Sequence, residues 1–122
     1  MADDGQKLAI ACARAADETK AEVIRVMDLR GLSSLTDFMV VCAGISMPHL
    51  KAILREVETK VREWTGADPV HSEGKADSRW MILDYVDVMV HVMHEDLRGH
   101  YALEDLWGDA KDVEWEGVAS DQ

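Results

Sequence analysis

Seven consecutive residues, Asp37-Phe-Met-Val-Val-Cys-Ala43, constrain the fold of this chain more than any other segment. After its first residue the run is wholly apolar and β-branched at its centre, and it is too short for a helix. A strand that is apolar without alternation is covered on both faces. A chain that contains one must set other strands beside it and pack further structure above and below.

The flanking sequence supplies those pieces. Asp3 or Asp4 can cap a helix running to about residue 18, with Leu8, Ala11, Cys12 and Ala15 along one stripe. Its small side chains predict close packing on a sheet. Glu22–Asp28 reads as a strand, and Arg30-Gly-Leu-Ser-Ser34 as turn chemistry. After Gly44-Ile45, Ser46 can cap a second helix with Met47-Pro48 in its first turn. Leu50, Ile53, Leu54, Val57, Val61 and Trp64 fall on one face of it. Glu56–Lys60 and Glu58–Arg62 stand at i,i+4 on the other, and Gly66 ends it.

Asp68–His71 reads as a short strand and Ser72–Ser78 as a polar loop. Strands follow over about 79–85 and 87–94. A helix is expected over Asp96–Trp107, interrupted near Gly99, with Leu97, Tyr101 and Leu106 as its apolar side. The order α-β-β-α-β-β-β-α predicts an α/β fold, a single small domain with a mixed β-sheet of about five strands and helices packed on it. That domain is placed at residues 1–107. Residues 108–122 are acidic and aperiodic and are expected to form a poorly ordered tail, in which Trp115 could dock.

Charge narrows the function classes. The 24 acidic residues outnumber 13 Lys and Arg, giving a net charge of −11 in 122 residues. Direct nucleic-acid binding, which rests on phosphate neutralisation, is not expected. Acidity keeps such a chain soluble, and it also steers the chain toward basic partners, including proteins that coat nucleic acids. Cys12 and Cys42 are isolated and beside apolar residues, so neither a disulfide framework nor a zinc set is expected, and no cofactor is implied. No apolar run approaches the roughly 20 residues of a membrane span. The acidic start MADDGQ is unlike a signal peptide, and a cytoplasmic location is expected.

The two strands over 79–94 meet at the corner Asp84-Tyr-Val-Asp87. Setting Asp84 opposite Asp87 puts Ile82 opposite Met89 and Trp80 opposite His91. One face then holds Met81, Leu83, Val88, Val90 and Val92. The other holds Trp80, Ile82, Asp84, Asp87, Met89, His91 and Met93, a mixture that fits either cover by a helix or a protein-binding patch.

Several chemistries are weighed against that patch. His91 and His94 are three apart in a strand and point to opposite faces, so no metal site is expected. Asp84 and Asp87 could form an acid/base or metal-binding pair, although aspartates at a corner are ordinarily turn residues. Gly44-Ile45-Ser46 before a helix could seat a phosphate but lacks the glycines and lysine of a nucleotide loop. Ser46 with His49 is explained by capping. His71 and His100 have no visible partners and read as surface residues.

In order along the chain stand Ser34-Leu-Thr-Asp37-Phe-Met-Val-Val-Cys42, Gly44-Ile-Ser46 with His49, and Glu73-Gly74 leading to Trp80. Ile82-Leu-Asp84-Tyr and Asp87-Val-Met-Val-His91-Val-Met93 follow, then Arg98, Tyr101, Leu103-Glu104 and Leu106-Trp107. In this combination, over about residues 6–107, the chain resembles the Iojap-like ribosomal silencing factors (RsfS). The resemblance implies a non-catalytic protein that binds the large ribosomal subunit through the protein numbered fourteen. It would block joining of the small subunit and so repress translation. It also implies a nucleotidyltransferase-like topology without the active site, and frequent homodimers. The contact surface expected here is Trp80, Asp84, Asp87, His91 and Met93, with Glu95, Arg98 and Tyr101 at its margin. Val86 departs from the glycine common at that corner in the family, which implies a different turn and a shifted pairing. Two other readings are a nucleotidyltransferase-like or metal-dependent enzyme using Asp84 and Asp87, and an acidic dimerisation module.

Overall fold

A computed structural model of the chain describes residues 4–74, 79–100 and 110–116; the side chains of 98–100 are outside that set. Helix α1 (Asp4–Glu18) leads into strands β1 (Glu22–Asp28) and β2 (Phe38–Gly44), then helix α2 (Met47–Thr65). Strands β3 (His71–Glu73), β4 (Trp80–Asp84) and β5 (Val88–His94) follow, with a short helix α3 (Glu95–His100) and a two-residue strand β6 (Lys111–Asp112). The six-stranded sheet has the order β3-β4-β5-β2-β1-β6. β2 and β5 run parallel at its centre, and the other pairs are antiparallel.

The central strand is β2, and all seven of its residues are buried. Its Phe38, Val40 and Cys42 share a face with Val88, Val90 and Val92 of β5 and Met81 and Leu83 of β4. That face packs beneath α1 and α2. The buried side of α1 is Ala9, Ala13, Ala16 and Cys12, small groups that let the helix lie close to the sheet. From α2, Leu50, Ile53, Val57 and Val61 complete the core.

The local chemistry that sets α2 is visible at both ends. Ser46 Oγ accepts the His49 amide at 3.2 Å, Pro48 sits in the first turn, and Gly66 closes the helix at φ 82°. His49 then ties the helix start to α1. Its Nδ1 accepts the Ile45 amide at 3.0 Å, and its Nε2 donates to the Thr19 carbonyl at 2.7 Å. Capping and tethering use the atoms that a nucleophile–base pair would need. The cations expected in i,i+4 pairs are engaged elsewhere, Lys60 with Glu63 at 3.8 Å and Arg62 with Asp68 at 3.5 Å.

Two differences from the sequence reading have local causes. β3 begins at His71 rather than Asp68, because Pro69 has no amide to donate; the first bond to β4 is from the Val70 amide to the Asp84 carbonyl, 2.8 Å. Lys111–Asp112 fall in the stretch expected to be a poorly ordered tail, yet they pair with Met27 and Asp28, and Val113 and Trp115 pack against the core. The expected helix over Asp96–Trp107 is described only as Glu95–His100; Tyr101, Leu106 and Trp107 lie outside the described residues.

Candidate protein-docking face

The corner between β4 and β5 decides what the second face of the sheet presents. Asp84 pairs with Met89, Ile82 with His91, and Trp80 with Met93. The register is shifted by two residues from one in which Asp84 opposes Asp87. The cause is Val86. It adopts φ 75°, and the Asp87 amide donates to the Tyr85 carbonyl at 2.9 Å across it, a γ-turn bond inside the tight loop. Because side chains alternate with a period of two, an even shift leaves every residue on the face expected for it. A shift of one would have turned Trp80 into the helix-covered core.

With the register known, the outer face resolves into rows that cross the sheet. Met27, Met39, Met89, Asp84 and His71 stand side by side on β1, β2, β5, β4 and β3. The next row is Arg25, Val41, His91, Ile82 and Glu73, and the next is Glu22, Ala43, Met93 and Trp80. The β1–β2–β5 part is a second apolar cluster of Met27, Leu29, Met39, Val41 and Met93, against which Leu97 of α3 and Ala110 pack. On the β4 side Trp80, Ile82, Asp84 and neighbouring Met89 remain half-exposed. Cover and open surface therefore divide one face between them.

Of the residues expected at a contact surface, Trp80 and Asp84 are half-exposed and Asp87 and Glu95 exposed. Met93 is completely buried in the cluster against which Leu97 and Trp80 pack, so it supports the face from beneath. His91 is only 7% exposed. Arg98 lies on α3 with its side chain outside the described residues, and Tyr101 lies outside the described residues altogether. Met89 and Ile82, which the sequence reading placed there without choosing, are half-exposed on the face, while buried Met27 and Met39 and half-buried Leu97, which it missed, support it. The spacing of methionines in separate strands carries no signal until the strands are paired.

Trp80 is held by its neighbours. Its indole Nε1 donates to His91 Nδ1 at 3.0 Å, with ring centroids 5.9 Å apart and a tilt of 59°. Accepting at Nδ1 fixes the neutral ring with its proton on Nε2, and that buried atom has no hydrogen-bond partner among the described residues. Burial lowers the His91 pKa from 6.5 to about 4, so a charged ring is disfavoured there.

Asp84 and Asp87 are not cross-strand partners, since Asp84 pairs with Met89, and Asp84 Oδ1 accepts the Val86 amide at 2.7 Å. β5 continues through His94, which keeps it and His91 on opposite faces. Among the described residues no group of three His, Cys, Asp or Glu side chains could hold a metal ion. Two surface grooves of about 410 and 500 Å³ lie elsewhere, one beside β1 and β6 and one between α2 and β4, and neither is lined by Asp84 or Asp87. No helix among the described residues is long and apolar enough to cross a membrane.

Fold and face together define a small α/β domain with α1 and α2 on one side of its sheet and, on the other, α3 beside an acid-rimmed apolar strip. A family model described as "Ribosomal silencing factor during starvation" matches residues 2–122. A ribosomal silencing factor RsfS of Halalkalibacterium halodurans is 41% identical over 115 residues, covering 94% of this chain and 97% of that protein. The Bacillus subtilis RsfS is 42% identical over 98 residues, 80% of this chain and 82% of its own. A crystal structure of a Chromobacterium violaceum protein superposes with a TM-score of 0.81 at 32% identity, covering 98% of both chains. The chain belongs to the ribosomal silencing factor family RsfS.

Proposed function

We propose that this chain binds the large ribosomal subunit through the protein numbered fourteen of that subunit and acts there by bulk, keeping the small subunit from joining and so repressing translation. It does so without catalysis, in the cytoplasm, and as a homodimer when free. The observation that carries the reading is the half-exposed strip of Trp80, Ile82 and Met89, edged by the carboxylates of Asp84, Asp87 and Glu95. Large side chains of this kind supply binding energy when a partner excludes water from them. The acidic edge suits a basic ribosomal protein and orients the encounter. Family membership supports the ribosomal direction of the reading.

Co-sedimentation with purified large subunits tests it. The chain should pellet with them at moderate salt and reduce the yield of joined ribosomes when small subunits are added. Trp80→Ala should weaken binding about thirtyfold, the loss typical of a buried aromatic anchor. Ile82→Ser, which leaves the Trp80–His91 bond in place, should weaken it less with the same circular dichroism spectrum. No pelleting of the unsubstituted chain would refute the function; full binding by both variants would refute the face.

A further inference from the structure

Of the six exposed large apolar side chains among the described residues, Val23 and Ile45 lie at one end of the sheet and the other four gather at the opposite end. Those four, Leu32, Leu35, Val70 and Val86, are 46%, 75%, 67% and 58% exposed. Leu32 and Leu35 belong to the loop that leads into β2, Val86 is the corner between β4 and β5, and Val70 precedes β3. Main-chain bonds join these pieces. The amides of Asp37 and Phe38 donate to the Asp87 carbonyl at 3.1 and 3.0 Å, and the Val70 amide donates to the Asp84 carbonyl at 2.8 Å. Since β2, β5, β4 and β3 are successive strands, the row spans roughly 15 Å.

The row is held in place before anything binds it. In the loop, the Leu29 amide donates to the Asp37 carbonyl at 2.8 Å, and the Leu32 and Ser33 amides donate back to the Leu29 carbonyl. Ser33 Oγ accepts the Leu35 amide at 3.1 Å. Arg30 bonds the Asp28 carboxylate and lies over the Phe38 ring, 5.0 Å from its centroid. A loop fixed in this way has little freedom left to lose on binding. Val86 is held at φ 75°, a region strained for a β-branched residue, while more than half of its surface stays in solvent.

Charge selects the occupant. Asp37 and Asp87 are exposed around the row and Asp84 is half-exposed, while Asp68 is paired with Arg62 and Arg30 with Asp28, so the patch keeps an acidic balance. A second copy docking through the same patch would set these carboxylates against their own equivalents. Nucleic acid would be repelled by them. We propose that this strand-end row is a docking rim for a basic protein surface bearing aliphatic side chains, continuous with the outer face at Asp84. It rests on the reading that the chain binds the large subunit, and it adds a second edge to that contact.

Val86→Gly and Leu35→Ser test the rim, because neither side chain belongs to the core. Val86→Gly relieves the backbone and should melt higher than the parent, yet bind purified large subunits about threefold more weakly. The double variant should bind about tenfold more weakly. A stabilised Val86→Gly variant with unchanged affinity, alongside a weakened Trp80→Ala, would overturn the rim and leave the docking face standing. Failure of the parent chain to bind large subunits would overturn both. Loss of self-association in the double variant, with ribosome binding intact, would identify a second copy as occupant and overturn the basic partner.

Discussion

His91 makes a quantitative test of how the outer face is built. In the folded chain its Nδ1 accepts the Trp80 indole proton, and burial holds the pKa at about 4; in the unfolded chain the ring titrates near 6.5. Between those values the unfolded state binds more protons, so stability falls as the pH drops. The contribution is complete above about pH 6.5 and is lost progressively toward pH 4. Tenfold in proton affinity is about 1.4 kcal/mol, which makes the whole loss about 3 kcal/mol and the loss at pH 5 about 2 kcal/mol relative to pH 8. Urea unfolding of the parent and of His91→Gln at both pH values isolates the effect, since the other titratable groups are common to the two proteins. The parent should lose about 2 kcal/mol more than the variant on going from pH 8 to pH 5. Equal losses would show that His91 is not held neutral, and the bond that positions Trp80 would have to be redrawn.

Two further outcomes probe the opposite face. Gly44→Ala would place a Cβ 2.7 Å from Leu50 Cδ2 and 3.2 Å from both His49 Nδ1 and Ile53 Cδ1, where α2 starts against the end of β2. Overpacking of buried neighbours should cost about 1–3 kcal/mol in urea unfolding; a neutral effect would show that the helix start yields freely. Burial, and the nearby Cys42, push the Cys12 thiol well above its usual range, so little thiolate forms. An aromatic disulfide reagent should label neither cysteine in the native protein and both in denaturant, and rapid native labelling would refute this packing.

The reach of the sequence differed between local and distant features. Helix α2 could be read almost to the residue, because its cap Ser46, its apolar spacing and its stop Gly66 are all local signals. β1 and the two-sided burial of β2 were legible for the same reason, one from composition and one from an unbroken apolar run. The hairpin could be read only in part. Its faces followed from alternation, but its register depended on the φ of Val86, and the same dihedral also sustains the exposed rim. β6 could not be seen at all: two charged residues become a strand only because β1 offers them an unpaired edge.

What the sequence alone determined is the set of elements, the acidic character of the chain, and the family pattern, since each is carried by residue types and short spacings. The tertiary structure decided which of the expected contact residues face solvent. Met93 and His91 alternate correctly with their neighbours yet are buried, because Leu97 and Trp80 lie over that part of the sheet. Burial is a property of what packs above a residue, and that neighbour is set by the fold rather than by position in the strand.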